Sequence, residues 1–156
     1  MSPSDVLMRL AIEQAELALA QDEVPIGCVI AHEPSGRILG RGRNLRETER
    51  DPTAHAELVA MRQAARELGQ WRLLDCVMAV TLEPCPMCAG AIINARIPRL
   101  IYGCRDPKAG AVRSLYQLCD DGRLNHRVQI EEGILADECA ELLRDFFRKQ
   151  RSMGKK

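Results

Sequence analysis

Two short motifs carry residue types that together can hold a transition metal. His55-Ala56-Glu57 and Pro84-Cys85-Pro86-Met87-Cys88 supply an imidazole, two thiols and a carboxylate. Zinc binds imidazole nitrogen and thiolate sulfur tetrahedrally; three protein ligands and an open fourth position make a catalytic site, four a structural one. His55, Cys85 and Cys88 supply three. Two thiolates and a neutral imidazole balance Zn²⁺, and water in the open position then has a pKa of about 7 rather than 15.7. A carboxylate must accept and return that proton. Glu57 lies two residues after His55, roughly 200° around an ideal helix. It therefore cannot ligate along the same line, but it can approach from the side as a proton shuttle does. Two other uses of these residues stay open. A structural zinc would draw a fourth ligand from His32, His126 or Cys104. A redox Cys-x-x-Cys would need no metal, although Pro84 and Pro86 flank it without thioredoxin-like surroundings.

The elements that must position these residues can be read from periodicity. Ser2-Pro3-Ser4-Asp5 starts a helix whose apolar stripe is Met8, Ala11, Ile12, Ala15, Ala18 and Leu19. Residues 26–31 and 37–40 are strands around the Glu33-Pro34-Ser35-Gly36 turn. Asp51-Pro52-Thr53 begins a second helix that stops at Gly69. A strand over 76–81 leads to a helix from Pro84 to Asn94. The thiols sit at that helix start, where free N–H groups and the helix dipole favour thiolate. Strands over 100–103 and 128–130 and an amphipathic helix over 135–150 complete the chain. This alternation predicts an α/β layered domain, with a mixed five-stranded sheet and about five helices, over residues 1–156.

Composition narrows the class. With 156 residues, 46% hydrophobic and 28% charged, the chain suits one soluble domain. No apolar run approaches a membrane span, and Arg9, Glu13 and Glu16 interrupt the N-terminal segment, unlike a secretory signal. The seven cysteines point to a reducing, cytoplasmic compartment. Cys28, Cys76, Cys104, Cys119 and Cys139 sit singly among apolar neighbours, as small buried hydrophobes do. Five of the last nine residues, from Arg148 to Lys156, are basic, leaving 17 basic and 22 acidic side chains before them. A basic tail on an acidic body suits a phosphate-bearing partner or simply a solvated terminus.

The His-x-Glu and Pro-Cys-x-x-Cys pair resembles the signature of the zinc nucleobase deaminases. Over nearly its whole length the chain is similar to the bacterial tRNA-specific adenosine deaminases. The matching stretches include Glu23-Val24-Pro25-Ile26-Gly27, Asp51 to Glu57, Thr81 to Ala91, Leu124 to Val128, Glu132 to Cys139 and Asp145-Phe146-Phe147-Arg148. The resemblance implies a three-layer α/β/α cytidine-deaminase-like fold, one zinc per subunit and a homodimer. It implies conversion of adenosine to inosine at the wobble position of a tRNA anticodon, an arginine tRNA being the expected substrate. On it, Glu57 is the catalytic residue, and His55, Cys85 and Cys88 are the zinc ligands. Asn44 hydrogen-bonds the target base, Ile26 walls its pocket and the Ala56 N–H meets the purine ring. Asp106 reads a ribose hydroxyl within the Asp106-Pro107-Lys108 loop, and Lys108 grips the nucleotide. Phe147 and Arg148 lie beside the flanking bases. By residue type alone, Asn44 also suits a turn and Asp106-Pro107-Lys108 an ordinary β-turn. Arg43, Arg46, Arg50, Lys108 and the tail are available for phosphates. Arg113 stands where many members have glycine and could add an RNA contact. A deaminase of free guanine or cytidine, and an idle zinc-containing RNA-binding module, are the competing readings.

Overall fold

The computed structural model describes residues 1–154; the last two lysines of the basic tail lie outside the described residues. Helix α1 (Pro3–Ala20) starts on a capping box in which the Ser2 hydroxyl accepts from the Asp5 N–H and the Asp5 carboxylate from the Ser2 N–H. Strands β1 (Gly27–His32) and β2 (Arg37–Arg43) follow, then α2 (Ala56–Leu68), β3 (Cys76–Leu82), α3 (Pro86–Asn94), β4 (Arg99–Cys104), β5 (Gln129–Glu131) and α4 (Ala136–Ser152). The strands form one sheet in the order β2-β1-β3-β4-β5. β1 pairs antiparallel with β2 and β3, whereas β3–β4 and β4–β5 are parallel.

Alternating strand residues feed two cores, as the period of two requires. Cys28, Ile30, Met78, Val80, Leu100 and Tyr102 pack beneath α2 and α3 with Ala60, Ala89 and Ile92. Val29, Ala31, Val77, Ala79 and Ile101 face Met8, Ala11 and Ile12 of α1 and Cys139 of α4. The result is the three-layer α/β/α arrangement expected from the sequence. Among the described residues there are four helices rather than about five.

Residues 105–128 form no helix or strand, for a physical reason. Four of their N–H groups are captured by a side chain from outside the segment. The Glu83 carboxylate, 2% exposed, accepts from the backbone N–H of Asp106, Val112, Arg113 and Ser114 at 2.7–3.1 Å and from the Ser114 hydroxyl at 2.5 Å. A second buried glutamate, Glu23, does the same for the β2–α2 loop, accepting from the Glu47 and Thr48 N–H groups at 3.2 and 2.7 Å. Neither role was visible in residue patterning.

The second helix starts later than the sequence predicts. Asp51 Oδ1 accepts from the Thr53 N–H and hydroxyl at 2.8 and 2.7 Å, closing a local turn that competes with helix. The backbone stays extended at His55, which is the N-cap (φ −76°, ψ 152°). Where α2 crosses Gly40 and Gly42 of β2, no strand side chain intervenes. A Cβ on Gly42 would lie 2.1 Å from the Ala56 carbonyl oxygen, and one on Gly40 2.3 Å from that of Ala60. These glycines let the helix that carries Glu57 lie directly on the sheet.

Glu83 supplies a measurable check. Burial opposes its charge, but the hydrogen bonds from Ser114, Arg113 and Asp106 outweigh burial and hold its carboxyl below the ordinary range. Glu83→Gln places an amide among donors and is expected to cost about 2–3 kcal/mol at pH 7, read by urea unfolding. Because the folded-state value is lowered, the wild-type advantage is fully present above the ordinary carboxyl pKa. It fades as pH falls through the folded value. A stability gap that stays constant under acid would contradict this role.

Candidate active site

His55, Cys85 and Cys88 reach one point from the starts of two helices. Cys85 is the N-cap of α3, Pro86 follows as its first residue, and Cys88 lies in the first turn. His55 Nδ1 is 3.6 Å from Cys85 Sγ and 3.5 Å from Cys88 Sγ, and the three ligand atoms lie within 4.8 Å of one another. Tetrahedral zinc with its usual Zn–S and Zn–N bond lengths places nitrogen and sulfur about 3.6 Å apart, so the donor set fits that metal. The thiols are unequal. A hydrogen bond from Cys88, and then His55, lowers Cys85 to about 4 against the effect of burial. Cys88 is pushed well above the ordinary thiol range by Cys85 and by burial. His55 is raised, chiefly by its hydrogen bond with Cys85.

The fourth ligand that a structural site would need is absent among the described residues. Each residue considered for it is engaged elsewhere. His32 Nδ1 meets the Ser35 hydroxyl at 2.8 Å, His126 Nε2 the Ile97 carbonyl at 2.8 Å, and Cys104 Sγ the Thr81 carbonyl at 3.6 Å. The open side of the donor set instead faces a cavity of about 570 Å³ that His55 and Cys85 line, within the range typical of ligand pockets.

Glu57 lines that cavity too, in the first turn of α2 and buried. Burial is the main influence on its carboxyl and pushes it up to about 7, against the pull of its own backbone N–H and His55. An acid–base group near neutrality is matched to proton transfer at physiological pH. Because His55 precedes the helix, the two side chains are not related by helical rotation, and both face one cavity.

Of the base-contact and loop residues expected from the sequence, Ile26, Asn44, Ala56, Asp106, Lys108 and Phe147 line the same space. Asn44 is buried and its Oδ1 accepts from the Arg46 N–H at 3.2 Å. Asp106 Oδ1 accepts from the Lys108 and Ala109 N–H groups at 3.0 and 3.2 Å. Both therefore shape turns as well as lining the pocket. The α4 helix brings Leu143, Phe147 and Arg151 to the rim. Arg148 is not among the lining residues and pairs with Asp145 at 3.2 Å. The spacing 143, 147, 151 is one helical stripe and was the available signal for Arg151. Arg105 also lines the mouth and carried no motif. Arg113 is not among the lining residues; it reaches Asp120 at 3.1 Å and Glu132 at 3.8 Å, so it braces the loop.

Comparison with known proteins agrees with this geometry. The family model described as MafB19-like deaminase matches residues 3–151. The chain is 50% identical over 148 residues to a tRNA-specific adenosine deaminase of Streptococcus pyogenes serotype M1, covering 95% of this chain and 85% of that protein. A solved chain from work on A-to-I editing by tRNA:A34 deaminases at the wobble position of transfer RNA is 43% identical. It superposes with a TM-score of 0.84 and covers 88% of this chain and 99% of its own. A guanine deaminase from Bacillus subtilis is 38% identical with a TM-score of 0.63, over 67% of this chain and 66% of its own. A donor set with one open side, a buried acid beside it and relatives matched almost end to end place the chain in the MafB19-like deaminase family, among the tRNA-specific adenosine deaminases.

Proposed function

We propose that the chain is a zinc-dependent hydrolase that converts adenosine to inosine at the wobble position of a tRNA anticodon. On this reading one domain spans residues 1–156 and works as a cytoplasmic homodimer, with an arginine tRNA as substrate. Among the described residues no helix is long and apolar enough to cross a membrane. The observation that carries the reading is the cluster of His55, Cys85 and Cys88, with no fourth ligand among the described residues, beside the cavity that His55, Cys85 and Glu57 line.

The extruded adenine enters between Ile26 and the first turn of α2. An unpaired loop base makes that extrusion inexpensive. With its Oδ1 held by Arg46, Asn44 has its amide N–H groups left for an acceptor on the purine. The Ala56 N–H belongs to the helix's first turn, where intrahelical partners are missing, and is available for the ring. His55, Cys85 and Cys88 would hold the zinc, which when bound would supply the Lewis acidity that makes water nucleophilic at neutral pH. Glu57 accepts a proton from the attacking water and delivers it to a purine ring nitrogen. It then takes the remaining proton of the added water from the new C6 hydroxyl and passes it to the amine as the C6–N bond breaks and the C6 carbonyl forms, so that adenosine and water give inosine and ammonia. The cations Arg46, Arg105, Lys108 and Arg151 around the mouth favour a polyanion over a free base.

Incubation with bulk bacterial tRNA should produce inosine, whereas a free-base deaminase would act on the monomeric compound and leave tRNA unchanged. Glu57→Gln is expected to keep its metal and lose about 10³-fold or more in rate; near-normal turnover would remove Glu57 from this role. Cys88→Ser should lose zinc and activity together by elemental analysis and assay, and full metal occupancy would break the ligand set. Asp106→Asn retains the turn-forming Oδ1 but not the charge. It should weaken the preference for RNA over DNA stem-loops, and an unchanged ratio would exclude ribose reading.

A further inference from the structure

Of the four cations at the pocket mouth, Arg105 differs in being held. Glu132 Oε1 accepts from Arg105 Nε at 3.1 Å and lies 3.0 Å from Nη2. Among the described residues, the side chains of Arg46, Lys108 and Arg151 have no ion-pair partner.

The anchor is itself fixed. Glu132 Oε2 accepts from the hydroxyl of Tyr102 at 3.1 Å, and the Tyr102 ring is fully buried in β4. Arg113 Nε approaches the same oxygen at 3.8 Å, and the Arg113 guanidinium is tied to Asp120 at 3.1 Å. The departure at position 113 thus completes a bracket around Glu132 rather than reaching toward substrate.

The geometry leaves Arg105 half used. A guanidinium presents a side-on edge, Nε with Nη2, and an end-on edge of Nη1 with Nη2, each suited to two oxygens. Glu132 takes the side-on edge. The end-on edge belongs to a residue that lines the cavity mouth directly before the Asp106 turn. A nucleotide inserted from a strand keeps a phosphate on each side of its ribose, and these must lie at the mouth when the base is inside. A fork fixed beforehand loses less conformational freedom on binding than a free arginine.

We propose that Arg105 contacts a backbone phosphate flanking the target nucleotide through its end-on edge, and that Glu132 is the positioning residue that aims it. The inference rests on the reading of the chain as a tRNA deaminase. Arg113 approaches the Glu132 oxygen that Arg105 does not use, so the device spans β4, the 105–128 loop and the residue that follows β5.

The test uses inosine formation in an anticodon stem-loop RNA, measured between about 50 and 200 mM salt. Arg105→Gln should raise KM about tenfold with kcat within about twofold, and should flatten the salt dependence of log kcat/KM by about 0.7. Arg105→Lys should restore the salt slope but only part of the KM, because it returns the charge without the fork. Glu132→Gln should raise KM while keeping the slope, and the Arg105→Gln/Glu132→Gln pair should be no worse than Arg105→Gln alone. Arg105 is exposed, so its variants report even if loss of Glu132 disturbs Tyr102. An Arg105→Gln enzyme with wild-type KM and salt slope overturns the inference, as does a strictly additive double variant. Wild-type protein that forms no inosine in this RNA overturns the underlying reading and the inference with it. Active wild type beside an unchanged variant overturns the inference alone.

Discussion

A single buried carboxylate ties the metal-binding turn to the wall of the pocket. Glu83 directly follows β3 and stands two residues before Cys85, and its two oxygens accept five hydrogen bonds from the loop that carries Asp106 and Ser114. Burying a charged group is costly unless donors surround it, and here the donors are the backbone of a segment with no helix or strand of its own. One interaction therefore meets two needs. It satisfies the glutamate, and it gives an irregular loop the fixed shape that a substrate surface requires. Glu23 repeats the device on the opposite loop with two donors. The pocket lies between two loops whose backbones are held by acids they do not themselves contain.

The division of labour among the acidic residues follows from their surroundings. Glu83 and Glu57 are both buried, yet their carboxyls move in opposite directions. Glu83 is surrounded by N–H groups and stays charged, which suits an anchor. Glu57 has mainly burial acting on it and sits near neutrality, which suits proton transfer. The thiols divide similarly. Cys85, at a helix start beside His55 and Cys88, is lowered, whereas burial raises Cys28, Cys76, Cys104, Cys119 and Cys139.

Much of the fold was legible because its signals are local. Short apolar runs bounded by turn residues marked the central strands, and the Ser2–Asp5 capping box and the Pro-Cys-x-x-Cys turn marked helix starts. The metal set was legible because ligand chemistry restricts residue type and spacing. What patterning missed depends on long-range partners. Asp51-Pro52-Thr53 has the composition of a helix start, yet the Asp51 side chain bonds Thr53 and delays the helix to Ala56. Glu83 and Arg105 look like surface charges until residues about 30 positions away are brought beside them. Arg148 and Arg151 are chemically alike and three residues apart, and only the facing of α4 decides which one borders the cavity.

The close contact of Gly40 and Gly42 with the α2 backbone constrains how such a pocket can be remodelled. At these two positions strand main chain lies against helix main chain, with no strand side chain to shorten, lengthen or rotate. The mouth is assembled from side chains on loops and on one face of α4, where single substitutions alter shape and charge without moving the scaffold. Adaptation to a new nucleic-acid context is thereby channelled to the perimeter, while the reactive centre is inherited as a rigid unit.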